Sequence, residues 1–255
     1  MSKRLDGQAA VVSGGATGCG GAAARLFAAE GARVTIVDIQ EEAGAAVAEA
    51  IRRVGGQASF AHADVSERDE VEAAVAHAAE TFGPPTLLFN HAGSIVVKPF
   101  LDTTDADYDR LMDVNVRSMF LMTRAVLPGM LEAGGGRIVC TSSISAVAGT
   151  PMEVLYATTK GAVHMFARAV AVEFRDRNIR CNAICPGFID TPHGRREVEA
   201  LTRCGIDVSE AAIAAQQGRM CRPEEVASAA LFLLSDEASF VNGAHLFVDN
   251  GFTAL

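Results

Sequence analysis

The stretch SGGATGCGGAAARLFAAEG, Ser13 to Gly31, decides the fold. Before it runs the short apolar QAAVV; after its glycines, alanine, leucine and phenylalanine recur at helical spacing, so it joins a strand to a helix. Gly14, Gly18 and Gly20 fall in the spacing GxxxGxG. Glycines at such a junction let the backbone turn tightly and approach a pyrophosphate, which then rests on the N-terminal dipole of the helix. Thr17 and Cys19 belong to the same loop. The next apolar run, RVTIVD, ends in Asp38, 18 residues beyond Gly20 and followed by Ile39. From that position a carboxylate accepts hydrogen bonds from the hydroxyls of an adenosine ribose. Glycines in an ordinary turn would require no acid there.

Working outward, apolar runs recur as QASFAH, TLLFN, RIVCTS, IRCNAIC and AHLFVD. Between them Gly18 to Glu30, Glu41 to Val54, Glu67 to Phe82, Asp105 to Glu132, Leu155 to Asp176 and Pro223 to Leu234 read as helices. Alternation of strands that are apolar on both faces with helices specifies an α/β fold. It is a doubly wound parallel sheet of about seven strands, with helices on both faces. No linker, charge block or repeat interrupts residues 1–255, which read as a single dinucleotide-binding domain. The alternation lapses only at 188–218, a polar, arginine-containing stretch with no strand, read as a substrate lid.

The formal charge of −9 and the lack of a basic run argue against a nucleic-acid partner. No signal peptide is visible, and no 18-residue apolar run suggests a membrane span. The six cysteines include no CxxC pair and stand mostly in apolar or helical surroundings, as reduced thiols do in cytoplasm, and the scattered histidines offer no metal site. A small soluble substrate and a cytoplasmic location are expected.

In LYATTKG, Tyr156 and Lys160 stand at i and i+4, on one face of a helix. Such a pair is either packing or chemistry. Further stretches fall in order around it: NHAG at Asn90 to Gly93, MDVNV with Asn115, SSISA with Ser143 lying 13 residues before Tyr156, and PGFIDT from Pro186 to Thr191. Together with the glycine loop they resemble the classical short-chain dehydrogenase/reductase family over essentially the whole chain.

The resemblance implies a Rossmann-type fold and hydride transfer between a secondary alcohol or ketone and a nicotinamide dinucleotide. It makes Asn115, Ser143, Tyr156 and Lys160 the catalytic set. Tyr156 would be the general acid/base, Ser143 would bond the reacting oxygen, Lys160 would acidify Tyr156 and grip the nicotinamide ribose, and Asn115 would anchor a relay water. It also implies cofactor contacts from Asn90, Ala92, Gly93, Asp64 and Val65. In the Pro186 to Thr191 segment, Pro186, Gly187, Ile189 and Thr191 would hold the carboxamide. A homotetramer is the family's usual assembly.

For the phenol to act near neutrality its pKa must fall from about 10, for which a lysine cation and a cationic nicotinamide are the expected agents. Asp38 favours NAD, because no lysine or arginine within Ser13 to Gly20 or Ile39 to Glu42 offers to pair a 2′-phosphate. An NADPH-linked carbonyl reductase would need one, and a non-catalytic dinucleotide sensor would be expected to lack Tyr156, Lys160 or Ser143. Ser13, Cys19 and His91 depart from the usual pattern. His91 is either a hydrogen-bonding substitute or a titratable group beside the cofactor. Asp64 is expected at the adenine edge, as a helix N-cap, or both.

Tyr108 reads as core packing. Candidate substrate walls are Ser94, Ile95, Val96, Ile144, Ser145, Val147, Glu153 and Phe188 together with His193, Arg195 and Arg196, of which the arginines offer to pair a substrate anion.

Overall fold

In the computed structural model, which describes residues 3–254, seven parallel strands lie in the order β3-β2-β1-β4-β5-β6-β7. Met1, Ser2 and Leu255, part of the 1–255 domain expected from the sequence, lie outside the described residues. The elements run β1 (Ala9–Ser13), α1 (Gly18–Ala29), β2 (Arg33–Asp38), α2 (Glu41–Arg53), β3 (Gln57–His62), α3 (Arg68–Phe82) and β4 (Leu87–Asn90). They continue with α4 (Asp105–Met112), α5 (Ser118–Glu132), β5 (Gly136–Thr141), α6 (Val154–Phe174), β6 (Ile179–Pro186), α7 (Pro192–Arg203), α8 (Glu210–Gln217), α9 (Pro223–Leu234) and β7 (His245–Val248).

The strand sequences explain why both faces are covered. Successive side chains point to opposite faces. Ala10, Val12, Val34, Ile36, Leu87 and Phe89 therefore pack with α1, α2 and α9, while Val11, Val37, Leu88, Ile138 and Cys140 pack with α3, α5 and α6. β1 and β4 are buried along their whole length, as their unbroken apolar runs require. Chain order reverses between β1 and β4, where Ser13 and Asn90 are register partners. A crevice opens outside the carboxyl ends of the strands at such a reversal.

Three expectations are corrected. The helix expected over Asp105 to Glu132 is divided by a π-helical turn, Asp113–Arg117, which holds the buried Asn115. Such turns contain one residue too many for α-helical spacing and gather at functional sites. Within 188–218 the chain forms α7 and α8, which enclose a small apolar cluster of Leu201, Val208 and Ile213. The signal for α7 was local: Thr191 caps it, accepting from the Gly194 N–H at 3.0 Å, and Pro192 opens it. Tyr108, expected in the core, is 50% exposed, because α4 buries only Leu111.

Candidate active site

A cleft of about 990 Å³ runs along the carboxyl ends of the strands, from the glycine loop to the lid helices. At its cofactor end, a Cβ on Gly20 would lie 2.0 Å from the Gly14 carbonyl oxygen, and one on Gly14 (φ +68°) would lie 2.8 Å from Ala92 Cα. Neither position admits a side chain, and the backbone stays bare toward the cleft. Thr17 precedes α1 with no side-chain cap bond, leaving first-turn N–H groups free for an anion. The Asp38 carboxylate is fixed at the mouth by the N–H groups of Ala16 and Gln40, each at 3.0 Å. Each oxygen keeps lone-pair capacity for a ribose hydroxyl. The residues therefore fit a dinucleotide.

Ser13 ties the switch point together. Its hydroxyl accepts from the N–H groups of His91 (3.0 Å) and Ala92 (3.2 Å) and donates to Asn90 Oδ1 (3.4 Å). His91 stacks on Phe89 with ring centroids 5.0 Å apart, and its Nδ1 lies 2.9 Å from Thr141 Oγ1. Burial, reinforced by Lys160, pulls its pKa down to about 3, so it is a neutral hydrogen-bonding group. Asp64 lines the cleft but caps no helix: its Oδ1 accepts from the N–H and hydroxyl of Ser66, while α3 starts at Arg68.

Deeper in the cleft, β5 leads directly into Ser143, and α6 carries Tyr156 and Lys160 back over it. Ser143 Oγ accepts from the Ser145 N–H at 3.1 Å and donates to Ser145 Oγ at 3.3 Å, and it lines the cleft together with the Tyr156 phenol. Ser142 points the other way and donates to the Lys160 carbonyl at 3.0 Å. Lys160 Nζ lies 5.5 Å from the Tyr156 ring centroid and donates to the Thr141 carbonyl at 2.9 Å. Asn115 Oδ1 accepts from the Ser94 N–H at 2.7 Å, and its amide donates to the Ser94 carbonyl (2.9 Å) and to Thr159 Oγ1 (3.0 Å). It locks the loop after β4 to α6 from behind the cleft.

The electrostatics run against one expectation. Burial pulls Lys160 down to about 8, while burial first and Glu197 second push the Tyr156 phenol above its ordinary range, with Ser143 opposing. The chain's own groups hold Tyr156 as a neutral phenol.

Most of the expected residues line this cleft: Gly14, Thr17, Gly18, Cys19, Asp38, Ile39, Asp64, Val65, Ala92, Gly93, Ser143, Tyr156, Lys160, Pro186, Gly187, Ile189 and Thr191. Gly20, Asn90 and Asn115 stand behind it as support. Of the substrate candidates, Ser94, Ile144, Ser145, Phe188, His193 and Arg196 reach the wall; Ile95, Val96, Val147, Glu153 and Arg195 do not. Arg195 turns outward to Asp190, its Nε 2.9 Å from the carboxylate. Glu197, Leu201, Ile206, Val208 and Ile213 were missed, since their approach depends on how the lid helices pack.

The model of the family described as Enoyl-(Acyl carrier protein) reductase matches residues 14–253. Cyclopentanol dehydrogenase of Comamonas testosteroni is 41% identical over 251 residues, covering 98% of this chain and 99% of that one. The chain is a short-chain dehydrogenase/reductase. A second relative within this family, the 2,5-dichloro-2,5-cyclohexadiene-1,4-diol dehydrogenase of Sphingobium indicum, is 36% identical over 253 residues, with 99% of each chain covered. The crystal structure of a levodione reductase superposes on this short-chain dehydrogenase/reductase with a TM-score of 0.93 at 34% identity, covering 98% of this chain and 99% of that one. The chain is thus an oxidoreductase of a family that uses nicotinamide dinucleotides. No helix among the described residues is long and apolar enough to cross a membrane, and none of their His, Cys, Asp and Glu side chains form a group of three or more placed to hold a metal.

Glu153 gives this site a measurable pH signature. It is 1% exposed with neither carboxyl oxygen hydrogen-bonded, and burial pushes its pKa up to about 7. Between the ordinary glutamate value and that one, the folded state binds the extra proton. Folding stability therefore falls as pH rises through this window. Glu153→Gln removes the penalty, an effect on the order of 2 kcal/mol. The melting temperature should rise by roughly 3–6 °C more at about pH 8 than at about pH 5. Equal shifts at the two pH values would refute the assignment.

Proposed function

We propose that this enzyme is an NAD-dependent dehydrogenase that interconverts a secondary alcohol and its ketone. The observation that carries the reading is the meeting of the Tyr156 phenol, the Ser143 hydroxyl and the Lys160 ammonium beside a bare glycine loop and a fixed Asp38 carboxylate. The glycine loop, Asp38 and Lys160 would hold NAD, which would supply a hydride acceptor for the carbinol carbon. Tyr156, as the phenolate that a bound nicotinamide cation and Lys160 would favour, takes the hydroxyl proton, and as the phenol it returns the proton in the reverse direction. Ser143 donates to the same oxygen, where negative charge develops. Lys160, anchored on the Thr141 carbonyl, holds a cation beside the phenol and presents it to the nicotinamide ribose. Asn115 keeps Ser94 and α6 in register, and by the family resemblance it would anchor a relay water. Asp38 accepts from the adenosine ribose; Pro186, Gly187, Ile189 and Thr191 hold the carboxamide.

Residues 1–255 act as one catalytic domain in which 188–218 closes over the substrate. The relatives named for cyclopentanol and for a cyclohexadiene diol favour an alicyclic alcohol. The deciding experiment follows NADH formation by the purified protein with a panel of secondary alcohols at alkaline pH. Absence of NADH formation with every cyclic and open-chain alcohol tried would overturn the reading.

The enzyme is further read as a cytoplasmic homotetramer. Support for assembly comes from Phe120 on α5 and Met165 and Val172 on α6, which are 57%, 59% and 64% exposed. Phe120 packs against Phe166 in a tilted pair with centroids 4.7 Å apart, so the apolar patch is continuous across both helices. Sedimentation at micromolar concentration should give four chains per particle. A monomer would refute it, and Phe120→Glu with Met165→Glu should dissociate the particle.

A further inference from the structure

One carboxyl group shares the substrate end of the cleft with Tyr156, and a second lies behind its wall. Glu197 lines the cleft from α7, among Leu201, Ile206, Val208 and Ile213. Glu153, just before α6, lies behind the wall beside the hydroxyls of Ser145 and Thr150, which do line the cleft. A buried carboxyl with no hydrogen-bond partner is costly, and each such group calls for an explanation. Glu197 and Tyr156 line the same cleft, and the Glu153 charge behind the wall acts on both.

Lys160 opposes the shift of Glu197, but no cation forms an ion pair with either carboxyl group among the described residues. Lys160 is anchored on Thr141, and His193 is pulled down to about 4 by burial. Arg195 is held by Asp190 outside the cleft, which leaves Arg196 at the wall. Burial, with repulsion from Glu153, pushes Glu197 up to about 8. Near neutral pH the pair therefore retains a proton and presents acceptor oxygens in an apolar enclosure. Such a wall repels a substrate anion and is satisfied by a hydrogen-bond donor.

We propose that Glu197, with Glu153 behind it, is a specificity-determining pair that recognises an O–H or N–H donor on the substrate close to the reacting carbinol. The substrate class is then diols or amino alcohols, ahead of simple alcohols and hydroxy acids. The inference rests on the reading of the cleft as an alcohol dehydrogenase site.

The test compares kcat/KM with NAD for cyclopentanol, 1,2-cyclopentanediol, 2-aminocyclopentanol and 2-hydroxycyclopentanecarboxylate. The native enzyme should favour the diol or the amino alcohol over cyclopentanol by about tenfold or more and reject the hydroxy acid. Preference for the diol identifies a neutral donor, and preference for the amine a cation; either supports the proposal.

Glu197→Leu should bring that preference to within about twofold, and Glu153→Gln should weaken it, with NADH affinity and the circular dichroism spectrum of each variant verifying the fold. Turnover of cyclopentanol with no preference for a donor-bearing compound, or a preference that survives Glu197→Leu, overturns the inference and leaves the dehydrogenase reading standing. If no compound is turned over, that reading fails on its own. Binding of the same four compounds to the protein–NADH complex, followed by nicotinamide fluorescence, then decides the recognition: tightest binding of the hydroxy acid, or equal binding of all four, overturns it.

Discussion

Tyr156→Phe should lower kcat by about a thousandfold while leaving NADH affinity within roughly threefold, since proton transfer by a positioned side chain is worth about 10²–10⁴. The substitution removes one oxygen from the cleft and keeps the ring against Lys160. Lys160→Ala should damage turnover and cofactor affinity together, because in the proposed mechanism the same ammonium serves the phenol and the ribose. Stopped-flow turnover with the best alcohol, paired with NADH titration, separates the two losses. A Tyr156→Phe enzyme retaining more than about a tenth of kcat would sink the proton-transfer role. Because burial and Glu197 hold the phenol neutral in the free enzyme, oxidation should accelerate with rising pH in the native enzyme; in Tyr156→Phe that limb should flatten.

The second large effect concerns the dinucleotide. Asp38 is buried and held by two backbone N–H groups, so it cannot swing away from a 2′-phosphate. Glu41 and Glu42 open α2 beside it, and no lysine or arginine occurs within Ser13 to Gly20 or Ile39 to Glu42. Losing the ribose hydroxyl bond and adding like charge should cost roughly 3 kcal/mol, about a hundredfold in kcat/KM for NADP against NAD. Asp38→Ala combined with Ile39→Arg should narrow or invert that ratio, since Ile39 sits at the open mouth of the cleft. Comparable efficiency of the native enzyme with both dinucleotides would refute the assignment.

What the sequence made legible was local chemistry at fixed backbone positions. The glycine loop, Asp38 and the Tyr156–Lys160 pair each belong to a strand end or a single helix face and were legible from spacing, whereas Ser143 came with the family resemblance and the parallel sheet brings them all to one cleft. His91 and Ser13 were open questions in the sequence because their roles depend on contacts across the switch point, made between β1, β4 and β5. Arg195 and Glu197 show the limit most clearly. They stand two positions apart on one helix, and only the packing of α7 decides that the cation turns outward to Asp190 and the acid lines the cleft. Tyr108 misled for the same reason: helical spacing named a face but not which way α4 would present it.

The π turn at Asp113–Arg117 carries one residue more than an α-helix would use there. Deleting a residue from it would give a more regular and intrinsically steadier helix. The turns on either side would keep their register, since the widened turn absorbs the extra residue, and the change would fall on the residues within it. Asn115 could not then keep both Ser94 and Thr159 as partners. Regularity and placement thus compete within five residues, and a selection for heat resistance alone would be drawn toward variants that straighten this helix and lose the enzyme.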